Sequence, residues 1–348
     1  MKNVAIIGAT GFGGLGLIEI LLRHPGFTIR QLVARKDTGK KISDVFPHLR
    51  GFCDMMVQDG AEIDYDGIDL AFFSTPDRAG MTLIDDFRKR NIPVIDFSGD
   101  FRFHSQEDYG VYARNKGMED VHLAPDSIGE AVYGLPELNA EKIKKARIVG
   151  NPGCFAINMI LALLPAAAAG IIESQTIICD GKTGVSGAGK NPGEANFYPQ
   201  RHENMNTYRE GRHQHLVEVE NIVNGACGGG KKILFIPQIV PINRGILMTS
   251  YMQIASGHTT ASLIDLYRNY YRGKPFVMVT ETSPHSADVR GSNFCKIRPF
   301  IDPRTGMMAV ISVIDNLLKG QSGNAVQNAN LMCGYEETAG LMQPPFYP

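Results

Sequence analysis

Hydrophobic and polar positions form two kinds of pattern along the first hundred residues, one typical of helices and one typical of strands. Two segments have the spacing of amphipathic helices, GLGLIEILLRHP and DRAGMTLIDDFRKRN. Around them lie short apolar runs rich in β-branched and aromatic residues, which predict buried strands: NVAIIGA, IRQLVA, DLAFFST and PVIDFS. Strands that alternate with helices predict an α/β fold with a doubly wound parallel sheet.

The pattern changes after Cys154. Longer strand-like runs are separated by polar, glycine-rich loops, with a helical pattern near TTASLIDLYRNYY: TIICDGKTGV, KKILFIPQIV, ILMTSYMQIA and FVMVTETS. This predicts an α+β domain with a mostly antiparallel sheet. We therefore expect a first domain over 1–150 and a second over 151–314, with a C-terminal helical segment, 315–348, completing the first.

The most apolar stretch, residues 155–172, is about as long as a membrane span. It contains Asn158 and Pro165, which favour a buried helix that breaks midway. The chain has 35 Lys and Arg against 36 Asp and Glu, so no global field attracts nucleic acid or an anionic membrane. We expect a small-molecule partner.

The N-terminus, MKNVAIIGATG, lacks the pattern of a secretory leader. The six cysteines are scattered and form no CxxC pair, which argues against a disulfide framework or a thiolate zinc site. Both observations predict a cytoplasmic protein.

A glycine-rich turn, GATGFGG, joins the first predicted strand to the first predicted helix. Gly8, Gly11 and Gly13 would let the backbone approach a pyrophosphate, whose charge the free N–H groups of the helix start stabilise. A plain tight turn is the alternative.

The second strand ends in VARKD, which places Arg35 and Lys36 where the 2′-phosphate of NADP would lie. We predict a Rossmann-type NADP site.

The stretch GNPGCF places Cys154 on a tight turn between a predicted strand and the helix that follows it. Unpaired N–H groups and the positive end of the helix dipole stabilise a thiolate, the form of cysteine that attacks carbon. An inert structural thiol is the alternative reading, and it is preferred for the other five cysteines.

A nucleophilic thiol requires a base or proton donor, and GRHQHLVEVENIV offers His213 and His215 just before a helical pattern. We choose His215, with Glu218 as a cap or substrate contact. A metal site including His202 is the competing reading, but no carboxylate or cysteine completes a ligand set at recognised spacing. Solvated or capping histidines are the third possibility.

The loop GVSGAGK and two arginines complete the candidates. The small residues of the loop allow close backbone approach to a cofactor or an anion. Arg102 in DFSGDFRF and Arg244 in VPINRGIL are candidates to hold phosphate or carboxylate, because a guanidinium matches either bidentately.

The nucleotide-binding turn, the activated thiol and the imidazole together predict hydride transfer through a thioester. The Tyr270-to-Lys274 match to a short-chain dehydrogenase motif runs into Pro275 and is accidental.

These motifs resemble the N-acetyl-γ-glutamyl-phosphate reductase family of the aspartate-semialdehyde dehydrogenase superfamily over essentially the whole chain. The motifs are GATGFGG, DFSGDFR, YGLPELN, GNPGCF, GVSGAGK, HQHLVEVE, PINRGILMTSY, VRGSNFCKIRP and DNLLKGQSGNAVQNANLM. The resemblance implies that Cys154 is the nucleophile and His215 the catalytic histidine, that the loop from Ser186 to Gly189 lies near the cofactor, and that Asn316 lies near the nicotinamide. Ile157 departs from the threonine common near the family nucleophile.

The site prediction has three parts. Cys154 and His215 are catalytic. The predicted cofactor-binding residues are Gly8, Thr10, Gly11, Phe12, Gly13, Arg35, Lys36, Ser74, Ser186, Gly187 and Asn316. The predicted substrate-binding residues are Arg102, Asn151, Glu218 and Arg244, and no metal is expected.

The resemblance implies NADPH-dependent reduction of an acyl phosphate in arginine biosynthesis by a homodimer or homotetramer. Two readings stay open, namely an aspartate-semialdehyde dehydrogenase and a nucleotide-binding regulator without turnover. The N-acyl group also stays open between acetyl and a longer anionic group such as succinyl, since Arg201, Arg209 and Arg212 crowd the loop before the histidines.

Overall fold

The computed structural model describes residues 1–194 and 196–347. Ala195 and Pro348, the last residue of the predicted returning segment, lie outside the described residues. The chain divides into two compact units. The first comprises Met1–Gly110, Glu119–Gly153 and Gln321–Met342, and the second comprises Val111–Met118, Cys154–Gly320 and Gln343–Pro348.

The first unit contains a seven-stranded sheet in the order β3-β2-β1-β4-β5-β7-β6, in which every neighbouring pair is parallel. Its strands are β1 (Lys2–Ile7), β2 (Phe27–Val33), β3 (Val57–Gln58), β4 (Leu70–Phe73), β5 (Val94–Asp96), β6 (Val132–Tyr133) and β7 (Ile148–Gly150). Every residue of β4 and β5 is buried, as expected for a parallel sheet covered on both faces. The predicted doubly wound sheet is confirmed.

Five α-helices lie wholly in the first unit, α1 (Phe12–Leu21), α2 (Ile42–Val45), α3 (Ala79–Lys89), α5 (Pro136–Ile143) and α10 (Gly323–Met332). Helix α4 (Gln106–Lys116) begins in the first unit and ends in the second. The chain order reverses between β1 and β4, because β1 is followed by β2 on one side while β4 pairs on the other. In such sheets the ligand crevice lies at the carboxyl ends of the strands at this reversal.

The second unit contains a mixed seven-stranded sheet in the order β12-β13-β14-β11-β8-β10-β9. Four of its six neighbouring pairs are antiparallel, which confirms the predicted mostly antiparallel sheet. Its strands are β8 (Thr176–Thr183), β9 (Asn206–Thr207), β10 (Lys232–Ile239), β11 (Ile246–Met252), β12 (Val277–Val279), β13 (Cys295–Ile301) and β14 (Met308–Ile314).

The helices of the second unit are α6 (Cys154–Ala168), α7 (Tyr198–Arg201), α8 (Leu216–Cys227) and α9 (Thr260–Tyr270). Helix α6 packs on β11 and β14 and is flanked by α8 and α9. The alternate residues of β8 and β10 that face away from the helices remain partly exposed, including Ile178 and Leu234. A π-helical turn, Leu318–Ser322, then leads into α10 (Gly323–Met332), which packs against α1 and α5 in the first unit.

The prediction that the apolar helix breaks midway is wrong, because α6 continues through Pro165 to Ala168. Proline has no N–H to donate to the carbonyl four residues earlier, Leu161 O. That carbonyl instead accepts a hydrogen bond of 2.5 Å from the phenol of Tyr271, a residue at the end of α9. Asn158, the polar residue inside the helix, pairs with Ser312 on β14. Tyr271 and Ser312 therefore provide hydrogen bonds to the two polar groups of α6, the Leu161 carbonyl and the Asn158 side chain.

We expect Tyr271→Phe to destabilise the protein by about 1–3 kcal/mol, because it leaves the buried Leu161 carbonyl without its donor. In a Pro165→Ala background the cost falls, since alanine restores the helical N–H. The measurement is the free energy of unfolding in urea for the two single variants and the double variant. Tyr267→Phe is the matched control, because its phenol donates to Ala162 O, a carbonyl that the N–H of residue 166 also reaches. An equal cost in both backgrounds contradicts this account.

Candidate active site

Cys154 is the first residue of α6, four residues after β7 ends, so the predicted strand, turn and helix are confirmed. Its thiol is half-buried. The N–H groups of the first helical turn have no partner four residues earlier, and the dipole of a fifteen-residue helix places positive potential at this end. The location favours a thiolate.

The other cysteines have different surroundings. Cys53, Cys179 and Cys295 are buried. Burial raises the pKa of Cys179 to about 12 and that of Cys333 to about 11, so neither thiol ionises at neutral pH. Cys227 is the last residue of α8, where the negative end of a helix dipole opposes a thiolate. Cys154 therefore has the helix position that nucleophilic attack requires.

The two candidate histidines lie at the start of α8, at the same end of the unit as Cys154. His215 is the N-cap of the helix, and its backbone N–H donates to His213 Nδ1 at 3.2 Å. The His213 ring lies 5.6 Å from the ring of Phe155, the residue after Cys154, and 4.7 Å from the ring of His215. Two helix N-termini thus converge beside the thiol.

His213 is 2% exposed and remains neutral. Burial, together with the smaller effect of the positive charges of Arg209 and Lys116, lowers its pKa to about 3. Its Nδ1 is already used as the acceptor for His215, so His213 acts as a packing residue. This arrangement leaves His215 as the candidate for proton transfer, a role that stays a prediction.

Two residues near Cys154 were not selected from the sequence. The pKa of Tyr208 is raised by burial and then by the charge of Cys154, so the phenol stays protonated within electrostatic range of the thiol. Gly320 lies so close that a side-chain carbon added to it would be 2.7 Å from Cys154 Cβ. Tyr208 lies in an irregular segment before α8, and neither residue forms a sequence pattern that predicts contact with the nucleophile.

Ser186 and Asn316, both predicted from motifs, are hydrogen-bonded to each other. Asn316 Nδ2 donates to Ser186 Oγ at 3.0 Å, and Asn316 Oδ1 accepts from Gly245 N at 2.7 Å. Gly187 lies beside them, since a side-chain carbon added there would be 4.0 Å from Asn316 Nδ2. The structure joins the two motifs, and their contact with cofactor stays a prediction.

Arg244 is held by a buried carboxylate. Asp315 is fully buried and accepts hydrogen bonds from Arg244 Nε at 3.3 Å and Nη2 at 3.1 Å. It also accepts from backbone N–H groups, including that of Gly291 at 2.7 Å. These bonds fix the guanidinium, which remains partly exposed and can present donors to an anionic ligand.

In the first unit, three glycines of the glycine turn have no room for a side chain. Gly8 has φ +93°, and a side-chain carbon there would collide with the Ser74 carbonyl. A carbon on Gly13 would collide with Ser74 Oγ, and one on Gly14 would lie 2.5 Å from Gly8 O. Thr10 and Gly11 complete the turn, and α1 begins at Phe12 with free N–H groups in its first turn.

These residues fit a dinucleotide. The backbone is bare where a pyrophosphate would approach the start of α1. The buried hydroxyl of Thr75, just beyond β4, has no hydrogen-bond partner among the described residues, so an acceptor or donor from a ligand would satisfy it. Arg35 and Lys36 are exposed after β2. The neighbouring acidic residue, Asp37, is paired with Lys40 at 2.8 Å.

Three predicted substrate-binding residues are buried. Arg102 donates through Nε to Asn151 O at 2.8 Å and through Nη2 to Phe97 O at 2.6 Å. The Asn151 amide oxygen accepts from Asn324 and its nitrogen donates to a backbone carbonyl. Glu218 is buried in the first turn of α8. Arg102 and Asn151 tie backbone segments together, and a contact of any of the three with substrate stays a prediction.

Across residues 1–194 and 196–347, no three His, Cys, Asp or Glu side chains are grouped to hold a metal ion. Over the same residues, no helix is long and apolar enough to cross a membrane.

Two family profiles match the chain. Residues 3–146 match the NAD-binding domain of semialdehyde dehydrogenases, and residues 154–316 match their dimerisation domain. Among solved structures, aspartate semialdehyde dehydrogenase II of Vibrio cholerae, complexed with ASA, has the same fold with a TM-score of 0.72, at 20% identity over 96% of this chain and 98% of that one. The chain therefore belongs to the semialdehyde dehydrogenase class of proteins by both of its domain profiles.

Curated relatives narrow the class. N-acetyl-γ-glutamyl-phosphate reductase of Geobacter sp. (strain M21) is 41% identical over 100% of both chains. The enzyme of that name from Methanocaldococcus jannaschii is also 41% identical over 100% of both, and that from Bacillus cytotoxicus is 39% identical over 99% of this chain and 100% of its own. The chain belongs to the N-acetyl-γ-glutamyl-phosphate reductase family.

The depressed pKa of His213 predicts a pH-dependent stability. In the unfolded chain this imidazole binds a proton near its usual pKa of 6.5, whereas in the folded protein it does so only near 3. The unfolded state therefore binds more protons between these values, and stability present above pH 6.5 is lost as the pH falls toward 3. Between pH 7 and pH 5 the loss from this group is about 2 kcal/mol.

His213→Phe removes this titration while keeping an aromatic ring among its neighbours. We expect the variant to lose about 2 kcal/mol less than the wild type between pH 7 and pH 5, measured as the free energy of unfolding in urea. An identical pH dependence for the two proteins contradicts a neutral, buried His213.

Proposed function

We propose that this protein reduces N-acetyl-γ-glutamyl phosphate to N-acetylglutamate 5-semialdehyde and phosphate with NADPH, through a thioester on Cys154, in arginine biosynthesis. The observation that carries the proposal is the half-exposed thiol at the N-terminus of α6, beside the start of α8, in a chain of this family. Family membership supports the reaction, and the helix position supports the nucleophile.

In the first step the Cys154 thiolate attacks the γ-carbonyl carbon of the acyl phosphate. A C–S bond forms, the C–O bond to phosphate breaks, and phosphate leaves with the electron pair. The converging N-termini of α6 and α8 stabilise the negative charge of both thiolate and phosphate. Tyr208 stays protonated, so its phenol adds no negative charge near the thiol.

NADPH, when bound, supplies the hydride that reduces the thioester carbon. The residues that would hold it are the glycine turn with Thr10, Phe12 and Ser74, together with Arg35 and Lys36 at the 2′-phosphate. Ser186, Gly187 and Asn316 form the second candidate group. Their mutual hydrogen bonds fix the loop in one conformation, which favours a role in orientation.

His215 handles the proton in the last step. Hydride addition leaves a thiohemiacetal whose oxygen takes a proton from His215; when the C–S bond breaks, the aldehyde carbonyl forms, the sulfur leaves as a thiolate, and that proton returns to the imidazole. Arg244, oriented by Asp315, is assigned to an anionic group of the substrate, and Arg102, Asn151 and Glu218 are weaker candidates for substrate contact. His215 suits this role better than His213, whose Nδ1 is already an acceptor.

The proposed domains are an NADP-binding domain over residues 1–150, completed by residues 315–348, and a catalytic and dimerisation domain over residues 151–314. The open face of the second sheet is the proposed surface for a homodimer or homotetramer. It exposes apolar side chains on separate strands: Ile178, Leu234, Tyr251 and Met278. We propose a cytoplasmic location, as expected for a biosynthetic enzyme with reduced cysteines.

The choice of substrate is tested in the oxidative direction, by comparing kcat/KM for the semialdehydes of N-acetylglutamate, N-succinylglutamate and aspartate with phosphate and NADP. We expect N-acetylglutamate semialdehyde to be preferred over aspartate semialdehyde by at least about a hundredfold, because the shorter compound misplaces its carbonyl and leaves an amide pocket unfilled. Preference for the aspartate compound refutes the proposed function. Preference for the succinyl compound refutes only the acetyl group.

Cofactor choice is tested by Arg35→Asp. The change removes a cation from the proposed 2′-phosphate site and adds an acceptor for ribose hydroxyls, so the ratio of kcat/KM for NADPH to that for NADH should fall by about tenfold or more. Arg30→Asp is the matched control, because Arg30 lies on β2, before the turn that carries Arg35, and pairs with Asp64 instead. An unchanged ratio in Arg35→Asp means that the 2′-phosphate is bound elsewhere.

A further inference from the structure

The side chain of Gln321 lies against the glycine turn of the first unit. A side-chain carbon on Gly13 would be 3.2 Å from Gln321 Nε2 and 3.1 Å from the ring of Phe97, and it would collide with Ser74 Oγ. Ser74 follows β4 and Phe97 follows β5. The carboxamide is therefore placed at the carboxyl ends of these two strands, beside the start of α1.

The amide oxygen of Gln321 has no hydrogen-bond partner among residues 1–194 and 196–347. Oε1 is buried, and no donor reaches it from any residue that the structure describes. Buried acceptors are almost always paired, because leaving one unpaired costs folding free energy. The backbone of Gln321 is held independently, since its carbonyl accepts from Asn151 Nδ2 at 3.1 Å. A donor from a ligand would complete the pairing.

The position of Gln321 Oε1 and its need for a hydrogen-bond donor together indicate which part of a dinucleotide it contacts. A pyrophosphate carries acceptors and cannot satisfy Oε1, whereas a ribose hydroxyl or a carboxamide NH₂ can. Arg35 lies beyond β2, on the other side of β1 from β4 and β5. A dinucleotide that crosses the reversal between β1 and β4 has its adenosine half toward β2 and its other half toward β4 and β5.

We propose that Gln321 binds the nicotinamide riboside half of NADPH, with Oε1 accepting a hydrogen bond from a ribose hydroxyl or from the nicotinamide carboxamide. This inference rests on the proposed use of NADPH. It assigns a cofactor contact to the π-helical turn that also places Gly320 against Cys154.

The test is equilibrium binding by isothermal titration calorimetry with two ligands, NADPH and adenosine 2′,5′-bisphosphate, which lacks the nicotinamide riboside. Gln321→Met keeps the length of the side chain and removes its polar atoms. We expect its Kd for NADPH to rise about fivefold to tenfold, as for one lost hydrogen bond, and its Kd for the bisphosphate to change by less than about twofold.

Gln343→Met is the matched control, because the Gln343 amide donates to Gly291 O in the second unit, and it should change neither Kd. An unchanged Kd for NADPH in Gln321→Met overturns the inference and leaves the proposed function standing. Equal weakening of both ligands also overturns it, since the effect is then structural. If the wild type binds the bisphosphate but not NADPH, the proposed function fails and the inference fails with it.

Discussion

The burial of α6 is the constraint on which the candidate site depends. From Phe155 to Ala167 every residue of this helix is buried, on a sheet and between two other helices, so its axis and its first residue are fixed. The fixed first residue is Cys154. A helix anchored so firmly presents the unpaired N–H groups of its first turn at one place, and the chemistry of a thiolate follows from that place.

The surroundings of Cys154 reinforce this effect. A second helix, α8, begins at the same end, and the neutral His213 packs between the two helix starts without adding a charge. The π-helical turn closes on the other side, where Gly320 leaves room for the thiol because it has no side chain. Asp315, at the start of the same segment, holds Arg244. Residues 315–320, directly after β14, therefore contact both the nucleophile Cys154 and the guanidinium of Arg244.

The sequence predicted the features that follow from local pattern. Periodic apolar runs located the parallel sheet, and the turn GNPGCF located Cys154 at a helix start, because strand, turn and helix signals are local. It did not reveal β13 and β14, which pair as an antiparallel hairpin, or the continuation of α6 through Pro165, which depends on the phenol of Tyr271 far along the chain. Tyr208 and Gly320 were not predicted from the sequence either, because only tertiary packing brings them near Cys154.

Acylation of Cys154 is tested by mass spectrometry of the enzyme mixed with N-acetyl-γ-glutamyl phosphate in the absence of NADPH. We expect an N-acetylglutamyl adduct on the peptide that contains Cys154, released as the semialdehyde when NADPH is added and absent from Cys154→Ser. An adduct on another residue, or sustained turnover by Cys154→Ser, would contradict it.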